Sequence, residues 1–343
     1  MAVLDGDTGT TNADAERLVS APFVHLVPAL TVDALAATRL LLARLAHERI
    51  PYQVTRRADA IPDGSTYVAI GTPQSDADLV LTPGAATAQA VELLSALDVH
   101  GAPEWAAVGT TFESTAPDDE RPGVMGVPSA DDPAALAGST LLHGPFSGDA
   151  TAAERLLAAG TGRDVATAVA LETLRTAPAT PSLAAAVTTF LGARPTPDGP
   201  FATTAGTADV LDVLVDIDPG LALALACGHD AVADRALTLW HEHAPAVHDA
   251  VERADNAIQL DDEVAPVGAA ARLIRSVRAP DEHVVVRSRT RLAVASPDPG
   301  DTGLVDVFAD LDRPVVDHGD GRVTIADWPA DESPAAFLPG GDV

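Results

Sequence analysis

Lysine is absent from this chain of 343 residues, and all 21 basic residues are arginine. Fifty acidic residues, 37 Asp and 13 Glu, set the formal net charge at -29. Cys227 is the single cysteine, which excludes an intramolecular disulfide and any metal site built from several thiolates. Aromatic residues are scarce, at 3%. No apolar run approaches the roughly 18 residues of a membrane-spanning helix. The first residues, MAVLDGDTGTTNADAE, are acidic and lack the apolar stretch of a signal peptide. The expectation is a soluble, cytoplasmic protein with no membrane contact.

What is present is apolar mass, mostly Ala, Val and Leu. At 47% hydrophobic residues the chain can bury a core, which a disordered acidic polymer cannot. An acidic, lysine-free surface suits molar salt, where the Debye length falls to ~3 Å and self-repulsion is screened. The plainer alternative is an ordinary acidic protein. Nucleic-acid affinity driven by counterion release falls steeply with salt, so a DNA contact would have to be local and arginine-based. Protein partners are easier to accommodate.

Length suggests two domains. Residues 1–20 read as a polar, disordered tail. Apolar strands at 23–27, 52–55, 66–70 and 78–81 alternate with helical text at 33–50 and 84–97, the pattern of a parallel sheet with connections on both faces. Thr151 and Glu154 have capping-box spacing and predict a helix start. Alanine-rich helical text runs on to about Leu191. The breaker ArgProThrProAspGlyPro at 194–200 is the preferred linker. Beyond it come helices near 206–216 and 229–253 and strands at 284–294 and 315–325. The expected fold is α/β: a doubly wound parallel-sheet domain over 21–145, a helical connector over 146–193, an α+β C-terminal domain over 194–330, and a tail over 331–343.

In doubly wound sheets a ligand sits past the carboxyl ends of the strands. The first such turn, Pro28 to Thr38, holds no glycine for a dinucleotide site, and no Gly-Lys-Ser/Thr occurs anywhere. The strand, turn and leucine-rich helix opening Asp33-Ala34-Leu35-Ala36-Ala37-Thr38 resemble the first motif of the DHH phosphoesterases, in particular their RecJ-like branch in salt-loving archaea. His143-Gly144-Pro145-Phe146-Ser147-Gly148-Asp149 is similar to text from the same branch. The resemblance covers about residues 20–115.

That family's first turn reads Asp-x-Asp-Gly and holds a divalent metal, usually manganese. Here Ala29, Thr31 and Val32 stand in those places, and Asp33 falls one step beyond. Asp33 reads either as a residual ligand or as a charge favoured by its helix N-terminus. After Tyr67–Ile70 the family places an Asp; this chain has Gly71-Thr72-Pro73, with Asp76 and Asp78 downstream. The Asp-His-His signature is replaced by Thr82-Pro83-Gly84. Ala107 to Glu113 resembles the last N-terminal motif, with Glu113 in the aspartate's place. Two-metal phosphodiester cleavage needs a dense set of carboxylates and imidazoles; Asp33 and Glu113 alone cannot supply one. The resemblance therefore implies a catalytically silent RecJ-like protein without a cofactor. Such a protein would act as a scaffold in DNA replication or repair, beside the MCM helicase and GINS, or as a weak binder of single-stranded DNA. The alternatives are an active, manganese-dependent phosphoesterase or 5'-3' single-strand exonuclease, and an unrelated small-molecule α/β protein.

Other clusters have two readings each. His241, His243 and His248 match no standard zinc spacing and otherwise form a solvated helix face. Cys227 beside His229 is either a nucleophile pair or a buried structural thiol. Arg287, Arg289 and Arg291 alternate along strand text and would share one face, as a grip for phosphates or an acidic partner, or as a charged edge. Arg272, Arg275 and Arg278, at helical spacing, either extend that patch or pair with nearby acids. His318-Gly319-Asp320-Gly321 stands where the DHH-associated domain carries a Gly-Gly-His motif, and Asp-Gly alone is an ordinary hairpin turn.

Overall fold

The computed structural model describes residues 8–57, 61, 63–74, 76–97, 103–112, 124–160, 162–176, 180–196, 199–254, 257–260, 264–301, 303–329 and 332. The N-terminal segment is not a loose tail throughout: Thr8–Ser20 forms helix α1. Ala15 and Leu18 on that helix are buried in the main core, so apolar side chains hold the polar segment in place. Residues 1–7 and 333–343 lie outside the described residues.

Four parallel strands follow, β1 (Val24–Pro28), β2 (Tyr52–Val54), β3 (Thr66–Ile70) and β4 (Leu79–Leu81). Their order across the sheet is β2-β1-β3-β4. Helix α2 (Val32–Glu48) crosses from β1 to β2. Thr31, extended at φ -131, caps it by accepting from the Ala34 amide, and Arg49 closes it in the left-handed region. The path then reverses over β1 to β3, so right-handed crossovers send the next connections over the opposite face. Among the described residues those connections hold no helix. They cover a small second-face cluster of Val27, Tyr67, Ala69 and Val80, against which Ile61 packs. Helices α3 (Ala86–Ala96) and α4 (Pro103–Gly109) return to the α2 side.

Helices α5 (Pro133–Gly138), α6 (Ala150–Leu157), α7 (Arg163–Thr176) and α8 (Pro181–Leu191) form the connector. The helix start at Thr151 shifts: Asp149 caps α6, accepting from the amides of Thr151 and Ala152. The breaker at 194–200 is not a free linker. The Thr196 amide donates to Ala202 and the Ala202 amide to Pro128, and Thr203 Oγ1 donates to the Val127 carbonyl. A proline- and glycine-rich stretch interrupts a helix, but these bonds and buried Phe201 anchor it.

Helices α9 (Thr204–Ile217), α10 (Pro219–Ala226), α11 (Ala233–Arg253) and α12 (Val267–Val277) pack between the two sheets. The second sheet contains β5 (Ala257–Gln259), β6 (Val284–Arg287), β7 (Arg291–Ala295), β8 (Val315–Asp317) and β9 (Arg322–Ala326), with the short helix α13 (Leu304–Val307) before β8. Its order is β5-β6-β7-β9-β8. β5 and β6 are parallel and the other pairs antiparallel. One apolar cluster runs from Ala15 through α2 and α9–α12 to Ala295. α9 and α10 thus share a core with the first sheet's helices, and the division expected near residue 194 is not a break in packing. A separate cluster of Val285, Leu292, Phe308, Ile325 and Trp328 covers the second sheet's far face. No helix among the described residues is long and apolar enough to cross a membrane.

Candidate functional site at the strand ends

The carboxyl ends of β1, β3 and β4 converge on the N-termini of α2 and α3, where a doubly wound fold holds its ligand. Gly71 stands at φ +70, and a Cβ there would lie 2.7 Å from the Ala34 Cβ. Asp33 is 6% exposed. Its carboxylate accepts from the Ala86 amide at 3.0 Å and the Thr87 amide at 2.7 Å. The Thr87 hydroxyl donates back to the Asp33 carbonyl at 2.8 Å. The reason lies in α3: Ala85 stands at its N-cap and has no side-chain acceptor. Asp33 supplies from another helix the cap that α3 lacks locally. Burial raises its pKa, and the bonds from Thr87 and Ala86 oppose that.

The mouth of this cleft is filled from within the chain. The turn between β8 and β9, His318 to Gly321, enters it, and Gly319 meets Gly84 backbone to backbone. A Cβ on Gly84 would lie 2.8 Å from the Gly319 Cα, and one on Gly319 would lie 2.1 Å from the Gly84 Cα. Both glycines have φ near +70 (+70 and +75), so glycine is required twice over. About 20 Å³ of space remains, walled by Asp33, Gly109, Phe112, His318, Asp320 and Arg322 among others. That is room for about one water.

Behind the turn lies a buried ionic network. α9 presents Asp209, Asp212 and Asp216 on one face. Asp212 accepts from Arg272 Nε (3.1 Å) and Nη2 (3.0 Å) and from Arg322 Nη2 (2.9 Å) and Nη1 (3.3 Å). Its side chain is 0% exposed. Burial pushes its acidity down, but Arg322 and Arg272 outweigh burial and hold the carboxyl well below the usual carboxylate range. Asp320 is likewise held low by Arg322 and Arg275 against burial. Arg275 Nη1 also donates to the Asp320 carbonyl at 2.8 Å. Asp209 accepts from Ser139 Oγ, the Thr140 amide and the Thr140 hydroxyl, and burial pushes it up to about 6. Asp216 accepts from the Gly268 amide (2.8 Å) and Arg291 Nη1 (3.1 Å); burial pushes it, too, up to about 6. His318 bonds Thr324 Oγ1 at 3.0 Å. Burial and the Arg322 charge push its pKa down to about 3, so it is neutral.

The arginine stripe does not form. Arg287 ends β6 and Arg291 begins β7, with Arg289 exposed in the hairpin turn between them. Arg287 shares its strand face with Val285, on the far side of the sheet. Arg291 shares its face with Ala293 and Ala295 and reaches Asp216. The turn reverses the alternation that one continuous strand would have kept. Arg272 and Arg275 go to the buried acids instead, and Arg278 Nε donates to the Val251 carbonyl at 3.0 Å.

The solvated histidine face expected on α11 does not extend to His248, which is buried, while His241 and His243 are half-buried. His241 lies 3.9 Å from Asp132, while His248 is buried with its Nδ1 3.2 Å from that of His143. Cys227 is half-buried rather than buried, and His229 is exposed. Asp78 accepts from the Tyr67 amide at the amino ends of the strands, away from the cleft. Glu113 lies outside the described residues.

These residues do not fit a two-manganese centre. Among the described residues no three or more His, Cys, Asp or Glu side chains converge as metal ligands. Asp33 uses both oxygens on amides, Asp320 is held by arginine, and the Arg322 cation lines the space a metal would enter. The acids that sequence reasoning missed, Asp209, Asp212 and Asp216, left one signal: carboxylates three and four apart inside an otherwise Ala/Val/Leu helix.

The geometry defines an α/β protein whose strand-end cleft is stopped by a turn of its own second sheet. The chain belongs to the same family as an uncharacterized protein of Haloarcula marismortui, 39% identical over 326 residues that span 83% of each chain. No protein-family model matches it. Among solved structures it is similar to RecJ of Thermus thermophilus in complexes with Mn2+ (16% identity, TM-score 0.40) and Mg2+ (16%, 0.39). It is also similar to an exonuclease RecJ bound to manganese (14%, 0.43). The chain is covered over 96%, 96% and 98% of its length in these three comparisons. It spans about half the length of the two Thermus chains (53% and 50%) and 93% of the third.

Proposed function

We propose that this chain is a RecJ-like DHH protein without phosphodiesterase activity, acting by macromolecular contact in archaeal DNA replication or repair. The observation that carries this reading is the fate of Asp33. The acid nearest the family's first metal position caps α3, and the space beside it holds an arginine and a glycine turn instead of further ligands. By family resemblance the partners are replication proteins such as GINS or MCM. Single-stranded DNA is a weak ligand at most. At -29 net charge counterion release in molar salt contributes little, and Arg287 and Arg291 lie on opposite faces of their sheet with Arg289 in the turn between them. A small-molecule role gains no support from the open groove of about 460 Å³ beside Pro128, Pro195 and Phe201, where Asp234 is the one ionisable side chain among the described lining residues.

The test is a manganese-dependent nuclease assay on single-stranded DNA in molar potassium chloride, paired with a pull-down from the native cell extract. No cleavage together with recovery of GINS or MCM is expected. Degradation of single-stranded DNA that is lost in Glu113→Ala would overturn the proposal and establish the active exonuclease reading.

A further inference from the structure

Helix α7 carries the two most exposed leucines among the described residues, Leu171 at 51% and Leu174 at 44%. They lie one turn apart on a face completed by exposed Thr167 and half-buried Ala168. The opposite face, with Val165, Val169 and Thr173, is buried. Thr167 Oγ1 already donates to the Arg163 carbonyl at 2.8 Å, so this hydroxyl is satisfied within its own helix and its methyl faces outward at little polar cost. The neighbouring sequence is equally unusual. One residue in five of the chain is charged (21%), yet none occurs between Arg175 and Arg194. That uncharged run includes α8, whose exposed residues are Pro181, Ala184, Ala185 and Thr188. In a chain otherwise covered with carboxylates, an exposed face of leucine, alanine and satisfied threonine marks a contact surface.

The occupant follows from the pattern along α7. Asp164 stands in its first turn and Arg175, which bridges Glu172 of its own helix at 2.7 Å but stays exposed, in its last, about 16 Å apart along the axis. Laid antiparallel on a second α7 about a two-fold axis, each Asp164 meets the partner's Arg175. Leu171 then falls opposite Ala168 and Thr167, large residues against small ones. A face complementary to itself in both charge and size is what an isologous contact requires. We infer that α7 is a homodimer contact, two copies of this chain packing antiparallel through Leu171 and Leu174. At each end of the contact Arg175 would stand between Glu172 of its own helix and the partner's Asp164. The helix is about 21 Å long, so its contact falls below the ~1,200–2,000 Å² of a standard interface. The dimer is therefore weak, with a Kd on the order of 100 µM. This inference is independent of whether the strand-end cleft cleaves DNA.

Sedimentation velocity in molar potassium chloride, from about 10 to about 500 µM chain, reads the association. The expected result is a reversible monomer–dimer equilibrium. Leu171→Glu should weaken it at least about tenfold with an unchanged far-UV circular dichroism spectrum, since the residue is exposed. Asp164→Arg alone should weaken it, and Asp164→Arg combined with Arg175→Asp should restore it. A monomer at every concentration would overturn the inference. So would a dimer indifferent to Leu171→Glu, which must use another face, or a charge swap that fails to restore association, which would exclude the antiparallel pairing.

Discussion

Asp212→Asn is the sharpest test of the architecture around the strand-end turn. The wild-type carboxylate binds two guanidiniums through four contacts of 2.9–3.3 Å. All three side chains are nearly inaccessible, at 0%, 8% and 2% exposure for Asp212, Arg272 and Arg322. Asparagine keeps the shape but removes the charge and turns an N–H pair toward one arginine. Arg322 retains Asp320 at 3.4 Å, and Arg272 retains the Thr140 carbonyl and hydroxyl. Neither partner is fully replaced. Removing one member of a buried pair costs about 3–5 kcal/mol, against a total domain stability of about 5–15 kcal/mol. Urea unfolding followed by the fluorescence of Trp105, Trp240 and Trp328, all buried, measures the loss. The penalty should be nearly the same in 1 M and 3 M potassium chloride, because buried pairs are screened far less than exposed ones. Combining Asp212→Asn with Arg322→Met should cost less than the sum of the single changes, because the second removes a stranded charge. A loss below about 1 kcal/mol, or one that vanishes in high salt, would mean that the network is solvated and does not hold the turn.

Three further outcomes follow from the same geometry. His248 and His318 are pushed down to about 3, mainly by burial, so each contributes stability above its unfolded pKa of about 6.5 that is lost as pH falls toward 3. Asp209 and Asp216, raised to about 6, act oppositely and regain stability on acidification through that value. From about pH 7 to about pH 5 these two histidines lose on the order of 4 kcal/mol, and His143, pushed down to about 4 by burial, adds a loss of about 2, while the aspartate pair recovers on the order of 3. Tm should therefore fall gradually below about pH 6.5 and more steeply below about pH 4, where the unfolded chain takes up protons that Asp212 and Asp320 refuse in the fold; a Tm climbing steadily down to pH 4 would contradict this. Asp33→Ala should cost about 1–2 kcal/mol through loss of the α3 cap and raise amide exchange at Ala86 and Thr87, with no change in manganese affinity by calorimetry. Gly319→Ala should destabilise by more than about 1 kcal/mol, because its Cβ meets the Gly84 backbone, and increased exchange in 82–88 would report the turn leaving the cleft.

Composition and periodicity alone determined the class of protein. Parallel strands at the expected places and a helix from about residue 33 were legible because burial in strands and helices imposes local periods on sequence, whereas the strand text at 284–294 and at 315–325 each holds a hairpin. Local pattern misled where the deciding partner was distant. Asp33 looked like a charge on its own helix, yet it caps α3 more than fifty residues away, because Ala85 has no side-chain acceptor. Arg287, Arg289 and Arg291 looked like one stripe until a hairpin turn put Arg287 and Arg291 on opposite faces. Asp209, Asp212 and Asp216 were hidden in an apolar helix, and only folding brought Arg272, Arg291 and Arg322 to them. Tertiary structure decided these points because a buried charge is tolerable only beside its counter-charge, and the chain supplies that counter-charge from segments far apart in sequence.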